Sequence, residues 1–372
     1  MSWRSSSLVD ADADADAIGK DADVSDRLRV ALVGGPMYDH LYDVLGDVEV
    51  VVHADHPTLN RAVADLLAAG ERIDLLSTHS KYAPSQRRWL TPLDELVDAT
   101  SLAPAAVDLC RFEGALLSVP RCIDVRVLWS RRPDPPTTWD ELVAGDVVFG
   151  FPGRESGLFG TFFELVVSRG GRLFDGTTPV IDCAEARWAV GALCELASRA
   201  PRDLPTWHYD EVDRALLDLR IDAAGVWPGG YGPIRDAGVP VTPHRYPGGI
   251  SYAGCHAWAI PRTCGDLDAA AALAQRLAAA EAQAIDATGG TVPANVEAFA
   301  AVHPTDEIDE RRLAVTRETI ADGMITYPPL ERFPAVEDAG WQAINAALRG
   351  ETPADDVPAL VQAAAEAVLA GS

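Results

Sequence analysis

The sequence predicts an α/β fold built from two compact units, and three observations support this prediction. The chain has 372 residues, and domains usually contain about 100–200 residues each. Hydrophobic residues make up 48% of the chain, which is enough for a large core. Short apolar runs also alternate with amphipathic stretches, a pattern typical of a parallel sheet covered by helices.

The alternation begins at residue 28, after an acidic segment. Residues 28–33, 48–53 and 73–76 are short apolar runs, which predicts three buried strands. Apolar side chains recur at helical spacing from Leu59 to Leu67, which predicts a helix that ends at Gly70. The first part of the chain is therefore predicted to form a parallel sheet with helices packed against it.

The same alternation continues through the middle of the chain, and the last third is mostly helical. Thr138 and Glu141 form a capping box, which predicts the start of a short helix. Strands are predicted over 147–151, 221–227 and 251–260, with a loop over 152–157. Helices are predicted over 162–169, 184–199, 209–219, 267–287, 309–321, 336–349 and 353–370.

The charge balance excludes two classes of function. The chain has 31 Lys+Arg against 56 Asp+Glu, a formal net charge of −25. Proteins that bind nucleic acid or a membrane surface through phosphates need clustered basic residues. No apolar run approaches the roughly 18 residues that span a bilayer. The sequence therefore predicts neither a nucleic-acid partner nor membrane insertion.

The amino terminus, residues 1–27, is an acidic segment with alternating Asp and Ala. Such a segment cannot bury apolar surface, so it is predicted to be a disordered tail. It lacks the basic and apolar regions of a signal peptide, and no cysteine precedes Cys110. The chain as written is therefore expected to be cytoplasmic, and extracytoplasmic if its true start lies upstream.

The six cysteines do not suggest a disulfide framework or a metal site. Cys183 and Cys194 flank a predicted helix and would lie about 16 Å apart, too far for a bond. No CxxC pair is present, which argues against structural zinc. Dinucleotide, P-loop, HExxH and GxSxG motifs are also missing. We therefore expect reduced thiols, no metal site and no cofactor.

A series of short segments, in a specific order, resembles one known family. The segments are GGPMY (34–38), LLAAG with ERIDLL (66–76), WLTPLDEL (89–96), FEGALLSVP (112–120), PTTWDEL (136–142), GG with FD (170–175), AWAIP (257–261) and GGTVP (289–293). The chain thus resembles the family 1 solute-binding proteins of ABC sugar importers, the maltose-binding-protein-like group. The matching segments fall within residues 28–369, all but the acidic tail.

The resemblance implies a two-lobed periplasmic-binding-protein-like (type II) fold with a hinge and an interlobe cleft. The first lobe would comprise residues 28–120 plus 256–305, and the second lobe residues 121–255 plus 306–372. The family closes on a small polar ligand, a sugar or sugar-like compound, and presents it to an ABC permease. We therefore expect a monomeric binding protein of this kind.

Candidate ligand-binding residues lie at the carboxyl ends of the predicted strands, where ligands bind in open α/β sheets. Trp227 is the strongest, because an aromatic ring stacks on the apolar face of a sugar. The alternative is that Trp227 covers the core of the second lobe. The other candidates at these ends are Tyr38, Asp39, His79, Glu155, Ser156, Gly229 and Tyr231.

Three of these candidates have a purely structural alternative. Glu155 precedes a predicted helix and would there complement the helix dipole without contacting a ligand. Loop tyrosines such as Tyr38 and Tyr231 often cover only a sheet edge.

Asp124 and Arg126 are one strand period apart, so they are expected to face the same side. Asp124 would accept hydrogen bonds from ligand hydroxyls, with Arg126 holding its carboxylate in place. The alternative is a structural salt bridge at the hinge.

His256 is a further candidate, and it introduces a different class of function. Cys122, His256 and Asp124 would meet in the cleft as nucleophile, base and orienting acid. The structural alternative is packing at the hinge. The leading hypothesis is a non-enzymatic binding protein. The alternatives are a cytoplasmic biosynthetic enzyme or a ligand sensor that reuses the fold.

Overall fold

The computed structural model describes residues 27–35 and 38–371. The acidic tail, apart from Arg27, and residues 36–37 of the GGPMY segment lie outside the described residues. Two separate sheets, each covered by helices, organise the described part of the chain. None of its helices is both long and apolar enough to cross a membrane.

Nine strands form these two sheets, and six more form three two-stranded sheets. All the described strands are short, and most lie in the first 260 residues. In chain order they are β1 (Leu28–Val33), β2 (Val48–Ala54), β3 (Leu75–His79), β4 (Arg111–Phe112), β5 (Ala115–Leu116), β6 (Val119–Asp124), β7 (Val127–Ser130), β8 (Phe149–Gly150), β9 (Phe174–Asp175), β10 (Thr178–Pro179), β11 (Ala223–Val226), β12 (Thr242–His244), β13 (Ser251–Tyr252), β14 (Gly254–Ala259) and β15 (Met324–Ile325).

The helices cover both sheets and make up most of the last third of the chain. In chain order they are α1 (His56–Ala68), α2 (Ala83–Gln86), α3 (Pro104–Leu109), α4 (Trp139–Ala144), α5 (Glu155–Ser168), α6 (Ala184–Arg199), α7 (Tyr209–Leu217), α8 (Tyr231–Ala237), α9 (Leu267–Ala278), α10 (Ala280–Ala287), α11 (Val296–Ala301), α12 (Glu307–Glu318), α13 (Phe333–Leu348) and α14 (Val357–Ala370).

The first sheet has five strands in the order β2-β1-β3-β14-β6. Strands β1, β2 and β3 are parallel, whereas β14 runs antiparallel to both of its neighbours. Helix α1 buries Leu59, Val63 and Leu67 in the core formed with β1 and β3. The carboxyl ends of β1 and β3 therefore meet at one edge of this sheet, as the alternation predicted.

The second sheet has four strands in the order β12-β7-β11-β8. Helices α5, α6, α13 and α14 pack around a core rich in aromatic side chains, which includes Trp129, Phe149 and Phe162. The chain crosses from the first sheet to the second between β6 and β7, and returns between β13 and β14. It crosses once more between α11 and α12. The lobe boundaries given above remain a prediction.

Several predicted elements differ from the observed ones. The predicted loop 152–157 is too long, because α5 already begins at Glu155. The predicted helix 267–287 consists of two helices broken at Ala279, which is extended (φ −68°, ψ 156°). The break is stabilised by Asn295, whose side-chain amide donates to the Ala278 carbonyl at 3.0 Å. That long-range hydrogen bond leaves no mark in the helical periodicity.

The cysteines agree with the expectation of free thiols. All six lie within the described residues, and none is paired. Cys110, Cys122 and Cys255 are buried, and the other three are half-buried.

Gly153 fixes the entry into α5, and its replacement by alanine is expected to destabilise the protein. A Cβ atom there would lie 2.0 Å from the Leu204 carbonyl oxygen and 2.6 Å from the Pro205 Cα atom. Because these are backbone atoms, the clash should cost about 2–3 kcal/mol. Gly191 in α6 is the control, since a Cβ there meets no atom within 4 Å. Gly191→Ala should raise the free energy of unfolding by about 0.5–1 kcal/mol, and denaturant unfolding measures both variants. If Gly153→Ala and Gly191→Ala changed the free energy of unfolding equally, the crowding assigned to Gly153 would be contradicted.

Candidate functional site

Four of the predicted site residues come together at the cleft edge of the first sheet. His79 ends β3, Asp124 ends β6, and His256 lies between them on β14. The His256 Nε2 atom is 3.1 Å from Asp124 Oδ2, and the His79 Nε2 atom is 3.8 Å from the same oxygen. The Tyr38 hydroxyl lies 3.2 Å from His256 Nε2. His79 was predicted at a strand end, as observed, and the sheet order brings the four side chains together.

A fifth residue, His56, belongs to the same group. It is the first residue of α1, and its Nε2 atom lies 3.1 Å from His256 Nδ1. Burial lowers the pKa of His56 to about 4 and also lowers the pKa values of His79 and His256. Burial raises the pKa of Asp124 to about 8, against the opposing effect of Arg121. The imidazoles are therefore neutral at pH 7.

Arg121 stabilises this group of histidine, aspartate and tyrosine side chains. Its guanidinium donates two hydrogen bonds of 2.7 Å to the carboxylate of Asp286 on α10, and both side chains are buried. One of these two nitrogens, Nη2, also lies 3.4 Å from the Tyr38 carbonyl oxygen. The buried ion pair thus ties the segment after β1 to α10 and holds Tyr38 beside the histidines.

The second lobe contributes aromatic and hydroxyl groups to the cleft. Trp227 follows β11 and is half-buried, so part of its indole remains accessible. The rings of Tyr209 and Tyr252 each contact it edge-on, with centroids 6.0 Å away. The hydroxyls of Ser156 and Tyr209 are 3.4 Å apart. Trp227 and Ser156 were predicted from the sequence, whereas Tyr209 and Tyr252 were not.

The predicted pairing of Arg126 with Asp124 is wrong. Arg126 is buried, and its guanidinium binds Glu164 and the Thr161 hydroxyl of α5. It also lies 5.3 Å from the centre of the Trp227 ring. The two-residue spacing fails because the chain leaves the first sheet after Asp124, so strand alternation ends there. Arg126 therefore supports the tryptophan and pairs with Glu164 instead of Asp124.

A buried ion pair joins the two lobes across the cleft. Lys81 Nζ, just after β3, lies 2.7 Å from Glu337 Oε2 on α13. Burial opposes the charged ammonium, but Glu337, Tyr82 and Tyr252 together raise the pKa of Lys81. A cavity of about 110 Å³ lies beside the pair, lined in part by Tyr252 and Tyr327. Ligand pockets usually measure about 300–1,000 Å³, so the lobes are in close contact here.

The remaining candidates lie apart from these two groups. Tyr231 is buried, stacks on Trp129 and shares a 3.2 Å hydrogen bond with Thr305. In this arrangement of the lobes Tyr231 packs between the second sheet and the crossing to α12, in line with the structural alternative that it covers a sheet edge. Asp39 is exposed and pairs with His53 at 2.8 Å.

Glu155 and Gly229 also make no contact with the histidine group. The Glu155 carboxylate contacts Arg154 and lies 3.5 Å from His208 Nε2. Gly229 is half-buried within a short 3₁₀ turn that leads into α8. The Glu155 carboxylate is therefore paired with Arg154 and His208 at the start of α5.

Cys122 lacks the environment of a catalytic nucleophile. It lies opposite His256 in the register of β6 and β14, yet the ring nitrogens of His256 contact Asp124, Tyr38 and His56. The thiol is buried, and burial raises its pKa well above the ordinary value. A nucleophilic cysteine instead needs a lowered pKa and access to substrate.

Sequence reasoning missed His56, Lys81, Tyr209, Tyr252 and Glu337. One signal was available: Lys20 and Lys81 are the only lysines of the chain, and Lys81 directly follows a strand end. His56 and Tyr209 each occupy the first turn of a helix. The Lys81–Glu337 contact spans 256 positions, so local patterns do not reveal it.

Comparison with known proteins identifies a family and a fold. A family described as bacterial extracellular solute-binding protein matches residues 46–311, well over half of the chain. No curated protein matches the chain.

Solved structures of sugar-binding proteins superimpose closely. Maltose-bound MalE3 of T. maritima has a TM-score of 0.77 at 19% identity and covers 91% of this chain and 99% of its own. The GacH receptor of Streptomyces glaucescens, solved unliganded and with acarbose, has a TM-score of 0.79 at 16% identity, with 93% and 99% covered. An ABC transporter solute-binding protein of Thermotoga lettingae, bound with α-D-tagatose, has a TM-score of 0.79 at 17% identity, with 92% and 99% covered. The predicted two-lobed periplasmic-binding-protein fold is confirmed.

Proposed function

Because the chain belongs to the bacterial extracellular solute-binding protein family, we propose that it binds a small, polar, sugar-like ligand between its lobes. One observation carries this proposal. The tyrosine, histidine and aspartate group lies at the edge of the first sheet, and Trp227 follows a strand of the second sheet beside Tyr252, which lines the cavity next to Lys81. The ion pair between Lys81 and Glu337 joins the two lobes.

The chemistry of the two sides suits a carbohydrate. The accessible part of an indole stacks on the apolar face of a sugar ring. Asp124 and the neutral imidazoles of His79 and His256 offer hydrogen-bond donors and acceptors for the ring hydroxyls. Similar folds bind maltose, acarbose and tagatose, as the structures above state. We take these three compounds as the first ligands to test.

Ligand entry requires the lobes to separate. The cavity beside Lys81 holds only about 110 Å³, and Lys81 and Glu337 are in direct contact. A hinge at the crossings between β6 and β7 and between β13 and β14 would open the cleft. Closure on the ligand would then expel water and restore the ion pair.

The alternative functions are less consistent with the site. An enzyme built on Cys122, His256 and Asp124 would need an activated thiol, whereas burial raises the pKa of Cys122. A ligand sensor would use the same cleft, and its location in the cell would distinguish it from a transport protein. We propose a monomer outside the cytoplasmic membrane that delivers its ligand to an ABC permease. Recovery of the protein in the cytoplasmic fraction of its native host would favour the sensor.

Replacing Trp227 by alanine is expected to weaken carbohydrate binding without unfolding the protein. Loss of the aromatic contact should cost about 1–3 kcal/mol, or roughly 5- to 150-fold in Kd. Isothermal titration calorimetry with maltose, acarbose and tagatose measures the change. Trp188 is the control, because it is a half-buried tryptophan of α6 that stacks against Arg169 at 4.1 Å. Trp188→Ala should leave Kd unchanged; equal losses in both variants would count against a platform at Trp227.

A further inference from the structure

The side chains of His79, Asp124 and His256 converge in the manner of a metal site. One donor atom from each lies within 4.8 Å of the other two. Because these residues come from three neighbouring strands, the sheet itself fixes their spacing. We propose that the first lobe binds one divalent transition-metal ion, of which Zn²⁺ is the model, through His79, Asp124 and His256.

The distances suit a tetrahedral ion. Zinc bonds to imidazole nitrogen and carboxylate oxygen measure about 2.0–2.2 Å, so two donors on one ion lie roughly 3.4 Å apart. The Asp124 oxygen is 3.1 Å from the His256 nitrogen and 3.8 Å from the His79 nitrogen, values on either side of that spacing. The Tyr38 hydroxyl lies 3.2 Å from His256 Nε2. Two imidazoles and one carboxylate favour zinc over calcium or magnesium, which prefer all-oxygen sites.

The burial of Asp124 also suits a bound cation. Its side chain is buried, and its polar partners among the described residues are His79 and His256. A buried carboxylate is usually paired or coordinates a metal. A divalent ion would bind all three groups in the forms that coordinate metals, a carboxylate and neutral imidazoles.

The surrounding hydrogen bonds orient His256 for metal binding, whereas the hydrogen bond to His79 must change. His56 Nε2 lies 3.1 Å from His256 Nδ1 and can accept its proton, which leaves His256 Nε2 free for the ion. The backbone N–H of Lys81 donates to His79 Nδ1 at 3.1 Å. Coordination through His79 Nε2 moves the ring proton to Nδ1, so this one hydrogen bond is given up. Metal binding should therefore change the hydrogen bonding of the Lys81 backbone N–H.

The metal proposal goes beyond the sugar-binding function and does not depend on it. Its test uses metal alone, without any carbohydrate. The metal-free full-length chain, prepared with EDTA, is titrated with Zn²⁺ against a chromophoric chelator. We expect one Zn²⁺ ion to bind tightly to each chain. His79→Gln, Asp124→Asn and His256→Gln should each weaken it by at least 100-fold, since losing an outer partner alone typically costs 10–100-fold.

A matched control and a second measurement make the test decisive. His53→Gln removes a histidine that pairs with Asp39 at the surface, and it should leave Zn²⁺ binding unchanged. The visible spectrum of the wild-type protein with Co²⁺ should show the strong absorption of a tetrahedral site. This spectrum needs no variant, so a misfolded variant cannot obscure the result. Binding only to surface carboxylates, with weak affinity retained by every variant and a pale six-coordinate Co²⁺ spectrum, would overturn the proposal.

Discussion

Replacing Arg126 by leucine is expected to lower the free energy of unfolding by about 3–5 kcal/mol, because it leaves a buried carboxylate without its partner. The Arg126 and Glu164 side chains are 1% and 0% exposed. After the substitution, Glu164 would keep the backbone N–H of Tyr252, which donates to it at 2.7 Å. One neutral donor does not balance a buried charge. Denaturant unfolding followed by circular dichroism measures the loss.

Two further variants separate the buried charge from the lost side-chain volume. Arg131→Leu removes an arginine whose pair with Asp222, at 3.4 Å, is partly exposed. That variant should change the free energy of unfolding by at most about 1 kcal/mol. Arg126→Leu combined with Glu164→Leu should recover much of the loss, since no unpaired charge remains. A double variant less stable than Arg126→Leu alone would show that packing, and not charge, is decisive.

Replacing Lys81 by methionine is expected to weaken carbohydrate binding by about 100-fold or more. The substitution leaves Glu337 buried without a partner whenever the lobes are in contact, at a cost of about 3–5 kcal/mol. Separation of the lobes exposes Glu337 to water and relieves this cost. The substitution should therefore disfavour closure of the lobes more than it lowers the free energy of unfolding. Calorimetry gives the affinity, and small-angle X-ray scattering should give a larger radius of gyration than that of the wild type.

Arg87 provides the matched control for Lys81. It also reaches the second lobe, where it pairs with Glu331, but both side chains are 44% exposed. Arg87→Met should therefore change the affinity by less than about 1 kcal/mol, or roughly fivefold. If Lys81→Met and Arg87→Met weakened binding equally, burial of the Lys81–Glu337 pair would not govern closure.

Sequence patterns predicted the elements whose signals are local. Strand β1 and helix α6 have the predicted bounds, because the burial of their side chains follows a simple period. The capping box at Thr138 is present, with both of its hydrogen bonds. Predictions failed where a distant partner decides the backbone, as at Ala279, where Asn295 binds the last turn of α9.

The candidate site was predictable to the extent that strand ends define it. His79 was predicted from its strand end and Asp124 from its expected place at the hinge, and both end strands of one sheet. Arg126 follows a change of sheet, which strand periodicity does not reveal, and its partner Glu164 lies 38 positions away. The contact between Lys81 and Glu337 depends on how the two lobes are oriented, which no local pattern records. The burial of Tyr231 likewise depends on the crossing to α12.

A crystal structure with bound carbohydrate tests the central claim most directly. The wild-type protein would be crystallised with whichever of maltose, acarbose and tagatose binds most tightly in the calorimetry. We expect one sugar ring against the indole of Trp227, with hydroxyl groups of the ligand hydrogen-bonded to Asp124 or His256. Carbohydrate bound outside the cleft, or a cleft that stays empty at saturating concentrations of all three compounds, would contradict it.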